Sequence, residues 1–203
     1  MNSMIVTGAR LAPSAPEAVS DDELLERMRG DDQDAYRVLV ERHIDRAYGA
    51  ALRILRNASD AEDVTQDALV RAWTNRHRWE SGRAKFSTWL YRVVVNRCID
   101  LKRSPRSEDI DDVPEPADDA EDSVTLIHRR QVHDHLEAAL DKLPGQQRVA
   151  LVLSYYEDCS NGQVAEIMGT SIDSVESLLK RGRQRLRQIL GRSRRDLGAL
   201  SAN

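Results

Sequence analysis

Basic side chains are concentrated near the end of the chain, where their type suits them to binding phosphate groups. The spacing predicts that Arg181, Arg185 and Arg192 lie near one stripe of a helix, so that all three can pair with a nucleic-acid backbone. Side chains that reach base edges are expected nearer the start of that helix, at Glu176, Ser177 and Lys180. The pattern indicates nucleic-acid binding.

A shorter helix and a tight turn are expected just before this basic helix. Small Ala165 would let two helices approach closely, and Gly169 can adopt the left-handed conformation that ends a helix. Val175 then fixes the second helix against the first, and Ser160 with Gln163 forms a capping box. This is the helix-turn-helix layout, whose second helix enters the DNA major groove. The alternative is an ordinary helical hairpin with a basic surface.

A second candidate site mixes aromatic with basic residues between positions 85 and 103. Aromatic rings stack on unpaired bases while cations pair with phosphates, so this mixture suits single-stranded nucleic acid. The alternative is an amphipathic core helix, and we expect both to hold. Trp89 and Val93 are predicted to lie inside, with Asn96 and the arginines outside.

A third candidate is the acidic segment from Asp60 to Trp73. Acids in the first turns of a helix favour its dipole, which alone is a sufficient structural reason for them. The same spacing presents Asp63, Gln66 and Asp67 as a polar patch on one face.

Helical periodicity supplies the elements that position these residues. A short helix is expected between Ser20 or Asp21 and Gly30, and a longer one between Asp32 and Asn57. Further expectations are a helix begun by a Ser59–Glu62 capping box and running to about Asn75, a loop at 77–85, and helices at 87–102, 125–141, 146–156 and 173–190. Gly191 is expected to end the last one.

Composition favours an all-α protein of two helical domains, since charged residues make up 32% of the 203 residues and aromatics only 4%. Residues 107–123 contain nine acids and no base, so the rest of the chain carries a net charge of +5 although the whole chain has −4. We divide the chain into a disordered tail (1–20), a first domain (21–105), a flexible acidic linker (106–127), a second domain (128–192) and a C-terminal tail (193–203).

Several classes of protein are disfavoured by the sequence. It contains no apolar run long enough to cross a bilayer and no signal peptide, so a cytoplasmic protein is expected. Cys98 and Cys159 are expected to be reduced packing thiols. His128, His133 and His135 are interpreted as solvated rather than as metal ligands. With no phosphate loop or catalytic set of side chains, we expect neither an enzyme nor a bound cofactor.

Taken in this order, the segments resemble a bacterial alternative sigma factor of the extracytoplasmic-function (ECF) type, in the sigma-70 superfamily. Residues 60–73 resemble sigma region 2.2, and 85–103 resemble regions 2.3 and 2.4, including Phe-Ser-Thr-Trp-Leu followed by Asn and a basic end. Residues 140–155 with Leu143-Pro144 resemble region 4.1, and 160–187 resemble region 4.2. The resemblance covers about residues 21–190.

The resemblance implies a role for each set of residues. Those that bind core RNA polymerase would be Asp60, Glu62, Asp63, Gln66, Asp67 and Arg71. Those that open and hold the −10 promoter element, together with the loop at 77–85, would be Arg78, Lys85, Phe86, Trp89, Arg92, Asn96, Arg97, Asp100, Lys102 and Arg103. Those that contact the −35 element as duplex would be Ser174, Glu176, Ser177, Lys180, Arg181, Arg183 and Arg185. Glu176 departs from the lysine that many relatives carry there.

The resemblance also implies the partners. These are core RNA polymerase, through its largest-subunit clamp and its flap, promoter DNA, and an anti-sigma factor, with the free chain a monomer and no small-molecule substrate. The linker would thread the polymerase channel, where its acids mimic nucleic-acid charge. Two alternatives stay open: a stand-alone helix-turn-helix transcriptional regulator, and a helical adaptor that does not bind DNA.

Overall fold

The computed structural model describes residues 19–80, 82, 84–103 and 134–200, with side chains as far as Gly191. The predicted tail (1–20), except for Val19 and Ser20, and the predicted acidic linker (106–127) lie outside the described residues. The helices are α1 (Asp21–Arg29), α2 (Gln33–Leu55), α3 (Ala58–Thr74), α4 (Phe86–Arg103), α5 (134–141), α6 (Gly145–Tyr155), α7 (Asn161–Met168) and α8 (Ile172–Leu200), with a 3₁₀ turn at Arg76–Arg78. The described part of the chain contains no strand.

Local capping residues explain where the first three helices begin. Ser20 and Asp32 cap α1 and α2 through their side chains, as expected for residues that satisfy free helix N–H groups. The predicted Ser59–Glu62 capping box was wrong. Asn57 caps α3 instead, accepting a hydrogen bond from the amide of Asp60, and Ser59 already lies inside the helix.

The front domain packs α1 to α4 around one core. Val64, Ala68 and Ala72 form the buried face of α3, as predicted. The prediction for α4 was partly wrong, because Trp89 and Val93 are only half-buried. The buried face of that helix is formed by Phe86, Thr88, Leu90, Tyr91, Val94, Val95 and Cys98.

The second domain is built from α5 to α8. The first part of the helix predicted at 125–141 lies outside the described residues, and the described part begins at 134. Gly191 does not end α8, which continues to Leu200. A single glycine weakens a helix by only about 1 kcal/mol relative to alanine, so the helix formers around it prevail.

The two domains pack directly on each other. Helix α7 lies against α4, and α6 lies against α2. The helix that is predicted to hold unpaired bases is therefore in contact with the first helix of the helix-turn-helix.

Candidate nucleic-acid interface

The turn between α7 and α8 has the predicted geometry. Ser160 and Gln163 form a reciprocal capping box at the start of α7. Gly169 ends that helix in the left-handed region (φ 63°), where a side chain would be strained. Val175 is fully buried and Ala165 is 6% exposed, so the two helices meet closely.

Most side chains predicted to bind duplex DNA face solvent on α8. The exposed ones are Glu176, Ser177, Lys180, Arg181, Arg183 and Arg185. Ser174 is half-buried, and its amide donates to the hydroxyl of Ser171 at the start of the helix. A cavity of about 400 Å³ is lined by Gln146, Met168, Thr170, Asp173, Ser174, Ser177, Leu178 and Arg181.

Arg183 has a partner that the sequence did not reveal. Its guanidinium donates a hydrogen bond to the hydroxyl of Tyr155 at 3.2 Å. Tyr155 is itself 56% exposed. This contact joins α6 to the basic face of α8. It gives one of the candidate phosphate ligands a hydrogen-bond partner on a neighbouring helix.

The aromatic residues near α4 form a cluster around the loop that precedes it. The ring centroids of Trp79 and Trp89 are 5.4 Å apart in an edge-to-face arrangement, and Phe86 contacts both. Phe86 is only 1% exposed, so it supports the cluster from below. Tyr91, also in the aromatic segment, is buried as well.

A cavity of about 380 Å³ opens beside this aromatic cluster. Its lining residues are Ala72, Asn75, Arg78, Trp79, Glu80, Ala84, Trp89, Arg92 and Glu166. Trp79 belongs to the loop at 77–85 that was predicted to help open the −10 element, although it was not named singly. Its buried indole Nε1 has no hydrogen-bond partner within the described residues. A buried donor without an acceptor is unfavourable for folding.

The other predicted −10 residues divide between surfaces. Lys85, Asn96 and Asp100 are exposed on the loop and on α4. Arg97 is also exposed, but it lines a different cavity from Arg92. Lys102 and Arg103 line a third cavity of about 450 Å³ between the domains, together with Cys98 and Arg148. Burial and the nearby Arg148 lower the pKa of Lys102.

The acidic patch of α3 forms a surface with an apolar centre. Glu62, Asp63, Gln66 and Arg71 are exposed, and Asp67 pairs with Arg71 at 2.9 Å. Asp60 is 8% exposed, which places it largely inside the domain. A cavity of about 520 Å³ on this surface is lined by Asp60, Asp63, Val64, Gln66, Asp67, Val70, Arg97 and Leu101.

Val70 was missed by the sequence interpretation. Its side chain is 61% exposed, the most of the large hydrophobic residues described. The available signal was its position, because it departs from the Val64–Ala68–Ala72 spacing of the buried face. Val70 therefore places one apolar side chain among the polar residues that line the cavity on this surface.

The buried charges between the domains were also missed. Glu137 and Glu157 of the second domain are 4% and 6% exposed. Glu157 pairs with Arg46 of α2, and Glu137 pairs with Arg56, the residue that follows α2. Arg148 of α6 is 4% exposed and donates to the backbone carbonyls of Leu140, Asp141 and Ile54. The contacts that cross between the domains join residues 81 to 111 positions apart, so no local pattern could predict them.

The structure also places the remaining predicted features, namely the histidines and the expected absence of a membrane span. His128 and His133 lie outside the described residues, and His135 is exposed on α5. Within the described residues, no three His, Cys, Asp or Glu side chains are grouped to hold a metal. No helix in the part of the chain that is described has both the length and the apolar character to cross a membrane.

Comparison with known proteins agrees with this geometry. Residues 39–108 match the model of sigma-70 region 2, and residues 133–186 match that of sigma-70 region 4. The chain is 33% identical to the ECF RNA polymerase sigma factor SigE of Mycolicibacterium smegmatis over 76% of this chain and 61% of that protein. It is also 33% identical to the RNA polymerase sigma factor CarQ of Myxococcus xanthus, over 82% of this chain and 95% of CarQ.

A solved structure supports the same grouping. CnrH, in its complex with the cytosolic domain of CnrY, is 27% identical with a TM-score of 0.64, covering 84% of this chain and 97% of CnrH. The chain spans about three fifths of the SigE length but nearly all of CarQ and CnrH. The chain therefore belongs to the sigma-70 family of RNA polymerase sigma factors, in the extracytoplasmic-function group.

Proposed function

We propose that this chain binds core RNA polymerase and directs it to specific promoters. The observation that carries the proposal is the presence, in one chain, of a helix-turn-helix with an exposed basic helix and a separate aromatic cavity beside exposed cations. One surface suits intact duplex, and the other suits an unpaired base. In this proposal the chain acts by binding polymerase and promoter DNA and catalyses no reaction itself.

The second domain contacts the −35 element as duplex DNA. The exposed start of α8 carries Glu176, Ser177 and Lys180, which can reach base edges. Arg181, Arg183 and Arg185 come next along the helix and can pair with phosphates. A carboxylate at 176 can accept a hydrogen bond from a cytosine amino group and repels nearby phosphate. We therefore expect Glu176 to set part of the promoter preference.

The front domain holds the melted −10 element. An unpaired base fits the cavity beside Trp79 and Trp89, where the indole rings can stack on it. Arg78 and Arg92 line the same cavity and can pair with the flanking phosphates. Asn96 is exposed farther along α4 and can hydrogen-bond to a neighbouring base.

Core polymerase docks on α3. Asp63 and Gln66 are exposed and line the same cavity as Val70, so this surface combines polar groups with an apolar side chain. Arg97 lines the same cavity, so we assign it to docking on polymerase as well as to the DNA face of α4.

Regulation follows from the family. We propose that an anti-sigma factor covers the polymerase-binding surface of this chain, which is otherwise a monomer in the cytoplasm, where polymerase and DNA are found. A stand-alone helix-turn-helix regulator would bind duplex tightly by itself, and would leave the surface around Val70 and the aromatic cavity without a role. A helical adaptor would leave the basic face of α8 unexplained.

The decisive experiment is run-off transcription with purified bacterial core polymerase on genomic promoter fragments, with and without this chain. Transcripts that start at specific sites only when the chain is present are the expected result. The chain should also co-elute with core polymerase in size-exclusion chromatography. Tight, specific duplex binding by the chain alone, with no co-elution, would favour the stand-alone regulator.

A further inference from the structure

The cavity that Cys98 and Arg148 line between the two domains has no ligand in the function proposed above. Its volume of about 450 Å³ lies within the range of about 300–1,000 Å³ that is usual for small-molecule sites. Its walls come from the end of α2, the end of α4 and the start of α6. Their chemistry differs between the buried and the exposed parts of the cavity.

The buried part of the cavity is apolar. Ile54, Cys98 and Val149 are at most 2% exposed, and Leu143 is 5% exposed. Half-buried Ile99 extends the same wall toward solvent. A ring or a short aliphatic group can bury its own apolar surface against these side chains, which is the main favourable contribution in most small-molecule sites.

The exposed part of the cavity carries two cations at the end of α4. Lys102 and Arg103 are exposed, and neither forms an ion pair with another residue that the structure describes. Asp141 also lines the cavity, but its carboxylate is already shared by Arg56 at 2.9 Å and Arg148 at 3.0 Å. The lining therefore has positive charge in excess.

The pKa of Lys102 reflects this excess of positive charge. Burial lowers that pKa first, and the charges of Arg148 and Arg56 lower it further, while Asp141 acts in the opposite direction. An anion bound beside the amine would offset the repulsion among the three cations. The electrostatics of the cavity thus favour an anionic ligand over a neutral one.

Backbone amides at the start of α6 add hydrogen-bond donors to the same cavity. Gly145 and Gln146 both line it, and Pro144 before them gives the helix no side-chain cap. Their N–H groups precede the first intrahelical hydrogen bonds and have no acceptor within the described part of the chain. A Cβ atom at Gly145 would meet nothing within 4 Å, so the space in front of this amide is open.

We propose that this cavity binds a small phosphate monoester carried on an apolar body, of the size of a nucleoside monophosphate. The phosphate lies among Lys102, Arg103 and the first amides of α6, and the apolar body lies on the buried wall. Two cations and two amide donors match a monoester phosphate, which carries about two negative charges and three acceptor oxygens. A carboxylate has only one charge. The site requires neither polymerase nor promoter DNA, so it goes beyond the proposed function.

The site is tested on the full chain by isothermal titration calorimetry, without polymerase or DNA, at matched ionic strength. The probes are AMP, naphthyl phosphate, adenosine and inorganic phosphate, at about pH 7.5 where the monoesters are mostly dianions. At least one monoester is expected to bind at a single site and about tenfold or more tightly than inorganic phosphate or adenosine. If neither monoester exceeds inorganic phosphate, the site holds an adventitious ion only and the proposal is overturned.

Two variants remove different phosphate contacts. Lys102→Gln should weaken binding of the monoester about tenfold or more, as expected for a hydrogen bond between charged groups. Gly145→Pro deletes one amide donor and should weaken it several-fold. The first position of a helix accepts proline, and Pro144 already has the extended ψ of 139° that a residue before proline requires, so α6 should begin as before.

Lys142→Gln is the matched control for these variants. It makes the same charge change at an exposed lysine that does not line the cavity, so it should bind as the parent does. Urea midpoints confirm that each variant folds. Unchanged binding in both Lys102→Gln and Gly145→Pro, or an equal loss in Lys142→Gln, would overturn the site.

A last comparison distinguishes a free monoester from the DNA backbone, because Lys102 and Arg103 are also among the predicted −10 residues. Backbone phosphates are diesters with a single charge. Cyclic AMP has the same base as AMP and a diester phosphate, and it is expected to bind about tenfold more weakly. Equal affinity for the two would assign the cavity to DNA and overturn the proposal. Failure of run-off transcription would refute the proposed function and leave the calorimetric results unchanged.

Discussion

Gly182 in α8 lies so close to Leu151 in α6 that a Cβ atom at position 182 would be 2.9 Å from Cδ1 of Leu151. Leu151 is 3% exposed and has little room to move. The glycine thus allows the basic helix to pack tightly on α6. Alanine at position 182 would favour the helical conformation of α8, so the glycine there is explained by the close packing against Leu151.

We expect Gly182→Ala to lower the stability of the second domain. The overpacking cost of about 1–3 kcal/mol should outweigh the gain in helix propensity of about 1 kcal/mol. Gly191→Ala is the matched control in the same helix, since a Cβ there meets nothing within 4 Å, and it should raise stability slightly. Urea unfolding followed by circular dichroism compares the two, and a midpoint that rises for both would contradict the packing argument.

The docking surface gives a second prediction. Asp63→Arg should abolish co-elution with core polymerase and leave the unfolding midpoint nearly unchanged, because the side chain is exposed. Val70→Asp should act in the same direction by making the centre of the surface polar. Asp45→Arg makes the same charge change at an exposed site on α2 and should co-elute normally. Equal loss in all three variants would point to net charge instead of this surface.

Two neighbouring residues of α4 should separate promoter melting from polymerase binding. Asn96→Ala should spare co-elution and impair melting, measured by permanganate reactivity of the −10 region in the holoenzyme. Arg97→Ala should impair melting and also weaken co-elution with core polymerase, because Arg97 lines the cavity that contains Asp63 and Val70. Wild-type melting by Asn96→Ala would remove that residue from the proposed site.

Glu176 should influence which −35 sequences are used. Glu176→Lys is expected to shift preference at one or two positions of the −35 element, by about 1–3 kcal/mol per base pair, while binding to core polymerase stays the same. Run-off transcription on a randomised −35 library reads out the change. An unchanged preference would mean that Glu176 contacts no base.

Cys98 gives a prediction that depends on pH. Burial raises the pKa of its thiol to about 12. As pH rises, the thiol of the unfolded chain loses its proton before the thiol of the folded chain does. The contribution of Cys98 to the free energy of unfolding is therefore fully present below about pH 8.5 and declines as pH rises toward 12. At pH 8 a thiol reagent should label half-buried Cys159 first, and Cys98 only after denaturation. Fast labelling of Cys98 in a Cys159→Ser chain would contradict its burial.

Local features were accessible from the sequence because their partners are close along the chain. The Ser160–Gln163 capping box and the left-handed turn at Gly169 each depend on fewer than ten residues, and both are present. The same reasoning failed at Ser59, because Asn57 two residues earlier also suits a helix start and takes that position. The rule identified the right type of residue but could not rank adjacent candidates.

Features that depend on tertiary packing were not accessible. Arg46 and Glu157 are 111 residues apart, and Arg56 and Glu137 are 81 residues apart, so no periodic pattern connects them. Phe86 was assigned to the −10 element from the resemblance and its aromatic type, whereas its ring is packed against Trp79 and Trp89 and is only 1% exposed. The type of an aromatic residue cannot distinguish a stacking platform from its support.

Arg148 satisfies the last carbonyls of two helices that belong to different domains, donating to Ile54 in α2 and to Leu140 and Asp141 in α5. When the domains part, the carbonyl of Ile54 needs water in place of the guanidinium, and the final turn of α2 is expected to fray. Only Arg56 and Asn57 separate that turn from the first residue of α3. Separation is therefore expected to change hydrogen-exchange rates at the very start of α3, the helix that we propose docks on polymerase.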